Sequence, residues 1–325
     1  MRLFGKTERG PLRAEHVRPE MTRRGLLAAG CACCAAQTLA FAAAPAMAQQ
    51  PAAPAAPAAA PPAFATRKIT DTTYIFRYQG HQSMFVVTPA GVIATDPIGL
   101  RRPQAVTAYI EEIRKITPAP VKYVIYSHHH YDHIAGGKPF KDLGATFVAH
   151  RNATARLRVL KDPDVVLPDV STGERHQITL GGVRVELTHV GKNHSDNSLV
   201  IGVPKDKLIF AVDFIPIETL PFRDMPDAYL PEWLASLDRV LGMSWEQLIP
   251  GHPNAGGRLG TKADVQNLRT YFIDLMQAVR AAAGEGKCYD RAMAEVKLPK
   301  YESWGSYQQF LAGNVSRMCA FMNGV

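Results

Sequence analysis

The chain has 325 residues, 46% of them hydrophobic and 20% charged, with a formal net charge of +8. That length accommodates one large domain with a sizeable core, or two lobes sharing one. Residues 1–48 hold seven of the lysines and arginines against three acids, so the remainder is only mildly basic, which argues against nucleic acid as a partner.

Residues 1–48 read as an address rather than as fold. Thr22-Arg23-Arg24-Gly25-Leu26-Leu27 opens an alanine-rich apolar run that ends at Ala46-Met47-Ala48. This is the pattern of a twin-arginine export signal with an Ala-x-Ala cleavage site, and it predicts a periplasmic protein. A membrane anchor fits less well, because the run is alanine-rich and broken by Pro45, so the mature chain is expected to lack an integral membrane segment. Lipid attachment at Cys31 is a minor alternative, since the apolar run before it is very short. Residues 49–66 form an Ala/Pro tether, and residues 67–325 the domain.

Strands are predicted over 74–78, 84–88 and 91–95, the last closed by Asp96-Pro97. Val106, Ile110 and Ile113 share one face of a helix over 103–116. A buried strand over 121–126 runs into Ser127-His128-His129-His130-Tyr131-Asp132-His133. A strand at 145–149 and a helix at 152–160 follow. The second half gives strands at 177–180, 183–189, 198–203, 207–212 and 246–250, with a helix at 231–242. Helices at 262–283, 289–296 and 305–322 complete the chain. Two β-rich halves with helices outside predict an α/β fold, a four-layer αβ/βα sandwich with a helical C-terminal extension.

Four histidines and an aspartate at a strand end can converge on a point, and imidazole nitrogen with carboxylate oxygen is the donor set of Zn²⁺ and its neighbours. His128, His130, Asp132 and His133 spell His-x-His-x-Asp-His, which is similar to the signature of the metallo-β-lactamase-fold hydrolases. His194, Asp213 and His252 lie at later strand ends, in the order in which that family places its remaining ligands, and the resemblance spans residues about 70–255. It implies two adjacent metals. His128, His130 and His194 would hold the first, Asp132, His133 and His252 the second, and Asp213 would bridge them. Two zinc ions are expected, with iron or manganese as alternatives, and Asp132 is also the candidate catalytic residue. A histidine ligand needs an acceptor for its free N–H, and Asp96 is the candidate for that task, an ordinary turn being the other reading.

The implied activity is hydrolysis of a small-molecule ester, lactone, thioester or β-lactam. Aspartate at 213 is the choice of lactonases and glyoxalase II-type thioesterases rather than of many lactamases proper. The alternatives are a mononuclear iron enzyme akin to persulfide dioxygenases and a non-catalytic metal-binding protein. In an extended segment His129 faces away from its neighbours. Tyr131 is expected to pack, His189 to end a strand half-buried, and His81, His150 and His176, which have no partner pattern, to be structural or solvated. Residues 214–222, apolar and broken by proline, read either as a pocket wall or as a satellite core. Cys288 and Cys319 either pair or remain buried thiols.

Overall fold

The computed structural model describes residues 63–254 and 256–324. The leader, its cleavage site, Cys31 and most of the tether lie outside the described residues. Two mixed sheets face each other. The first has seven strands in sequence order: β1 (Phe64–Lys68), β2 (Thr73–Tyr78), β3 (His81–Thr88), β4 (Gly91–Thr95), β5 (Val121–Ile125), β6 (Thr146–His150) and β7 (Val170–Thr172). The second has five, β8 (Arg175–Leu180), β9 (Val183–His189), β10 (Leu199–Val203), β11 (Leu208–Ala211) and β12 (Gln247–Ile249), in the order β12-β11-β10-β9-β8.

β1 to β4 form an antiparallel meander, and its last turn is closed by Thr88, whose hydroxyl donates to the Gly91 carbonyl and accepts from Ala90 N–H. From β4 onward the sheet is parallel, because helices carry the chain back across its outer face. These are α1 (Pro103–Ile116) before β5, then α2 (Tyr131–Ile134) and α3 (Lys138–Asp142) before β6, and α4 (Arg151–Leu160) after it. The second sheet is antiparallel except where α5 (Leu230–Gly242) makes β12 parallel to β11. Then come α6 (Lys262–Gly284), α7 (Asp290–Glu295) and α8 (Tyr307–Met322).

The pleat sorts side chains into three apolar layers. Ile75, Met84 and Ile93 meet Val185, Leu187, Ile201 and Phe210 between the sheets. Their neighbours Phe76, Phe85 and Ala94 turn outward onto Val106 and Tyr109 of α1. On the far side Val200 and Ile209 pack against Trp233 of α5, Phe272 of α6 and Val315 of α8. The order is helix, sheet, sheet, helix, as expected. Asp206, in the turn between β10 and β11, accepts hydrogen bonds from Thr70, Thr72 and Thr73 beside β2 and so ties one sheet to the other.

The differences from the sequence reading are local. β1 starts at Phe64, inside the predicted tether, where Phe64 stacks on Tyr78 at 6.4 Å. A mostly exposed edge strand with one large apolar residue carries little periodic signal. The three-residue β7 was not predicted, for the same reason. The last helix begins at Tyr307, after Ser306 in the left-handed region at φ 61°. Among the described residues no helix is long and apolar enough to cross a membrane. Cys288 and Cys319 are free thiols, Cys319 buried and Cys288 half-buried.

Candidate metal centre

The strand ends of both sheets converge on one point. The chain bends at 127–130 instead of continuing β5, with Ser127 N–H donating to Asp96 Oδ1 (2.8 Å) and Leu199 N–H to the Ser127 carbonyl (2.8 Å). The bend turns His128 and His130 inward together, their rings 4.5 Å apart. α2 starts directly after His130, so Asp132 and His133 project from its first turn. His194 comes from the loop after β9, Asp213 from the end of β11 at φ 63°, and His252 from the loop after β12. That last loop is pinned to the start of β3, where Gln82 N–H donates to the Gly251 carbonyl (2.7 Å) and Gln82 Nε2 to the Pro250 carbonyl (3.0 Å). Gly251 is required there, since a Cβ would lie 2.4 Å from Val212 and 2.9 Å from Asp213 Oδ1.

Two four-residue groups result: His128, His130, His194 and Asp213, and Asp132, His133, Asp213 and His252. In the first, His194 Nε2 is 2.9 Å from His130 Nδ1, and His128 Nε2 and His194 Nε2 are each 3.6 Å from Asp213 Oδ2. In the second, His133 Nε2 lies 3.1 Å from Asp213 Oδ2, 3.2 Å from His252 Nε2 and 3.4 Å from Asp132 Oδ2. His252 Nε2 is 3.5 Å from Asp132 Oδ2 and 3.3 Å from Asp213 Oδ1. Donors about 2.0–2.1 Å from one tetrahedral ion are about 3.3–3.4 Å apart, so both groups have the spacing of a ligand shell.

The chemistry of the donors fits a cation as well. His128 Nε2 and Asp213 Oδ1 are buried without a hydrogen-bond partner. Burial and the neighbouring His130 hold His128 well below the ordinary histidine range, and burial lowers His194 to about 4, so both are neutral and able to ligate at neutral pH. Burial opposes charge on Asp213, but His133 and His252 outweigh it and keep the carboxyl well below the usual range. The outward nitrogens are held separately. His252 Nδ1 donates to the Gly80 carbonyl (2.7 Å), and His128 Nδ1 lies 3.0 Å from Ser127 Oγ. His133 Nδ1 faces the buried Asp96 Oδ2 at 3.7 Å, and burial raises Asp96 to about 6 against the opposing pull of this histidine. His130 Nε2 faces Asp227 Oδ2 at 3.5 Å.

All seven predicted ligands are therefore brought together, with Asp96 behind His133. Two expectations are corrected. His81, read as structural or solvated and without a partner pattern, places Nε2 3.3 Å from Asp132 Oδ2, while its Nδ1 accepts from Arg102, whose other guanidinium nitrogen donates to the Asp132 carbonyl (3.1 Å). His129 does not face away from the site. It stays outside both groups of four, but the bend turns it to the cavity, where Asn197 donates to its Nδ1 (3.0 Å) and Asp227 Oδ2 lies 3.7 Å from its Nε2. Arg156 ion-pairs with Asp227 (3.3 Å) and Asp196 (3.2 Å) and completes this flank. Asp227, Arg102 and Arg156 were not singled out in the sequence, since each acts through a partner distant in the chain. His150 and His189 stack at 4.2 Å away from both groups of four, with His189 Nδ1 3.2 Å from Glu174.

A cavity of about 840 Å³ opens onto both groups. Its polar end carries His130, Asp132, His194, Asp213 and His252. Residues 214–222 serve both predicted purposes, with Phe214 and Ile217 in the core, Phe222 on the cavity, and Ile215 and Leu220 shared by both.

A profile of the Metallo-beta-lactamase superfamily matches residues 85–252, about half of the chain and the whole span between β3 and the last predicted ligand. The chain belongs to this superfamily. Over 195 residues it is 26% identical to the 2,4-dinitroanisole O-demethylase subunit alpha of Nocardioides sp. (strain JS1661), covering 59% of this chain and 58% of that protein. Over 153 residues it is 28% identical to a Metallo-beta-lactamase type 2 of Bacillus cereus, covering 46% of this chain and again 58% of the relative. The matches thus span 58% of the length of either relative. Among solved structures, the stereoselective inverting sec-alkylsulfatase Pisa1 from Pseudomonas sp. superposes at a TM-score of 0.62 with 16% identity, over 79% of this superfamily member and 50% of the sulfatase. A metallo-beta-lactamase from Pontibacter korlensis superposes at 0.54 with 19% identity, over 65% and 99%. These likenesses establish the fold.

Proposed function

We propose that this superfamily member is a dinuclear, zinc-dependent hydrolase of small-molecule esters, lactones, thioesters or β-lactams. The observation that carries the reading is the pair of four-residue groups sharing the Asp213 carboxylate at the polar end of a large cavity. His128, His130 and His194 would hold one ion, Asp132, His133 and His252 the other, and Asp213 both. Divalent ions held by these residues would supply a water of lowered pKa and polarisation of the group it attacks.

The protein's own part is positioning. Asp213 supplies the negative charge that lets two cations sit close together. Asp132, held through His81 and Arg102, presents a carboxylate to the cavity, where it would orient the attacking water. The five ligand imidazoles are held in orientation from behind by their outer contacts or by the fold, a requirement for a site whose donors must not turn away. Since the names of its relatives range over O-demethylase subunits, β-lactamases and alkylsulfatases, superfamily membership alone does not select the bond.

The test combines elemental analysis with a panel of lactones, thioesters, β-lactams and glutathione persulfide. Two zinc equivalents and hydrolysis lost on chelation are expected. One iron with oxygen uptake on the persulfide would replace the hydrolase with a dioxygenase, and absence of any metal would leave a binding protein. Asp132→Ala should lose one metal equivalent and nearly all turnover, while His129→Ala keeps both ions; the reverse order would sink the ligand assignment. We also propose periplasmic residence by twin-arginine export. Replacing Arg23 and Arg24 by lysine should retain precursor in the cytoplasm, and unimpaired export would refute that route.

A further inference from the structure

The geometry points to a substrate class: uncharged molecules whose hydrocarbon part lies along an apolar wall made by residues 215–226 and α8, with the scissile bond at the polar end. This inference rests on the hydrolase reading above. The cavity is divided by chemistry. Besides the metal ligands it is lined by Leu100, Leu160, Ile215, Leu220, Phe222 and Phe310. Phe222 meets Phe310 edge to face at 5.5 Å, and Phe222 and Leu160 are each 52% exposed at the mouth. A ligand that covers Phe222 and Leu160 removes apolar surface from water, while Ile215 and Leu220 are already buried beneath.

Among the described residues no lysine or arginine lines the cavity. The guanidinium groups around it are engaged elsewhere, Arg102 with His81 and Asp132, Arg156 with Asp196 and Asp227, and Arg223, which lies over the Phe222 ring at 5.5 Å, with Asp224 at 3.3 Å. An anionic group remote from the metals would therefore lose its water and find no partner. The wall is also built in advance. Buried Asn314 on α8 donates to the carbonyls of Pro221 (3.0 Å) and Arg223 (2.6 Å), and its own side-chain oxygen accepts from Tyr271 (2.7 Å). Leu220 N–H donates to the Gly305 carbonyl (3.0 Å), and Gly305 N–H to the Glu218 carbonyl (2.7 Å). Phe310 and Asn314 lie outside the span matched by the superfamily, so the C-terminal helices supply this selectivity to a shared catalytic end.

The experiment measures kcat and KM of the zinc-loaded protein on p-nitrophenyl esters from acetate to octanoate, and on the matching half-esters whose acyl chain ends in a carboxylate. In the neutral series kcat/KM should rise about threefold to fourfold per added methylene. Each carboxylate-ended ester should be poorer than its neutral counterpart of equal length. Phe222→Ala and Phe310→Ala should lower the octanoate-to-acetate ratio by about tenfold, mainly through KM. A flat neutral series, a preference for the half-esters, or an unchanged ratio in both variants would overturn the inference. If neither series is hydrolysed, simple esters are excluded as substrates, and the wall is tested without turnover. N-phenyl-1-naphthylamine bound to chelator-treated protein should then be displaced by alkyl methyl ketones more tightly as their chains lengthen. Absence of that trend would overturn the wall as well.

Discussion

Single residues show how much of this site depends on groups behind the ligands. Asp96 is fully buried, accepts from Ser127 N–H through Oδ1, and turns Oδ2 toward His133. Asp96→Asn keeps an acceptor for Ser127 but replaces the carboxylate facing His133 by an amide that cannot balance its N–H. The folded state should survive, with metal affinity lower by about 10–100-fold, as measured by competition with a chromogenic chelator. An unchanged affinity would return Asp96-Pro97 to the status of an ordinary turn. The His-x-His-x-Asp-His spacing makes four of the ligands legible in the sequence, and the resemblance to the superfamily the other three. Their supports were less so: Asp96 could be suspected from its strand-end position, but His81 and Asp227 carry no local pattern. His81 lies 51 positions from the Asp132 it contacts.

Elements act here through their ends and their tethers. β5, β9, β11 and β12 each deliver ligands from the loops or residues that follow them, and α8 holds the segment after Asp213 in place. Asn314 is 0% exposed and satisfies two carbonyls of that segment. Asn314→Ala leaves both carbonyls and the Tyr271 hydroxyl without it. The loss should be about 1–3 kcal/mol of stability in urea unfolding. Susceptibility of residues 214–226 to limited proteolysis should rise with it. Stability within error of the parent would mean that the loop is held by its core residues alone. The long periodic helices were clear in the sequence. α1 runs over 103–116, as its apolar spacing predicted, whereas β1 and β7, short and at or near the sheet edge, were not.

At the scale of the molecule the metal centre joins two halves. His128, His130, Asp132 and His133 follow the first sheet's β5, and His194, Asp213 and His252 come from the second sheet. Ions bound only by the folded chain stabilise it by mass action, about 4 kcal/mol at a free concentration 1,000 times Kd. Chelation should therefore lower the thermal midpoint, and zinc should restore it in a concentration-dependent way. A midpoint indifferent to chelator and zinc would contradict a centre shared between the halves.

Sequence determined the order of most elements, the sandwich class and the four ligand candidates of the His-x-His-x-Asp-His run, because hydrophobic period and ligand spacing are local properties of a chain, and resemblance to the superfamily added His194, Asp213 and His252. Tertiary structure decided what is not local. It bent residues 127–130 so that His129 reaches the cavity, and brought His81 with Arg102 against Asp132 and Asp227 against His130. It also set Phe310 of the last helix beside Phe222. Each of these contacts joins residues with no fixed spacing to read, and it exists only because two sheets and their covering helices pack around one common end.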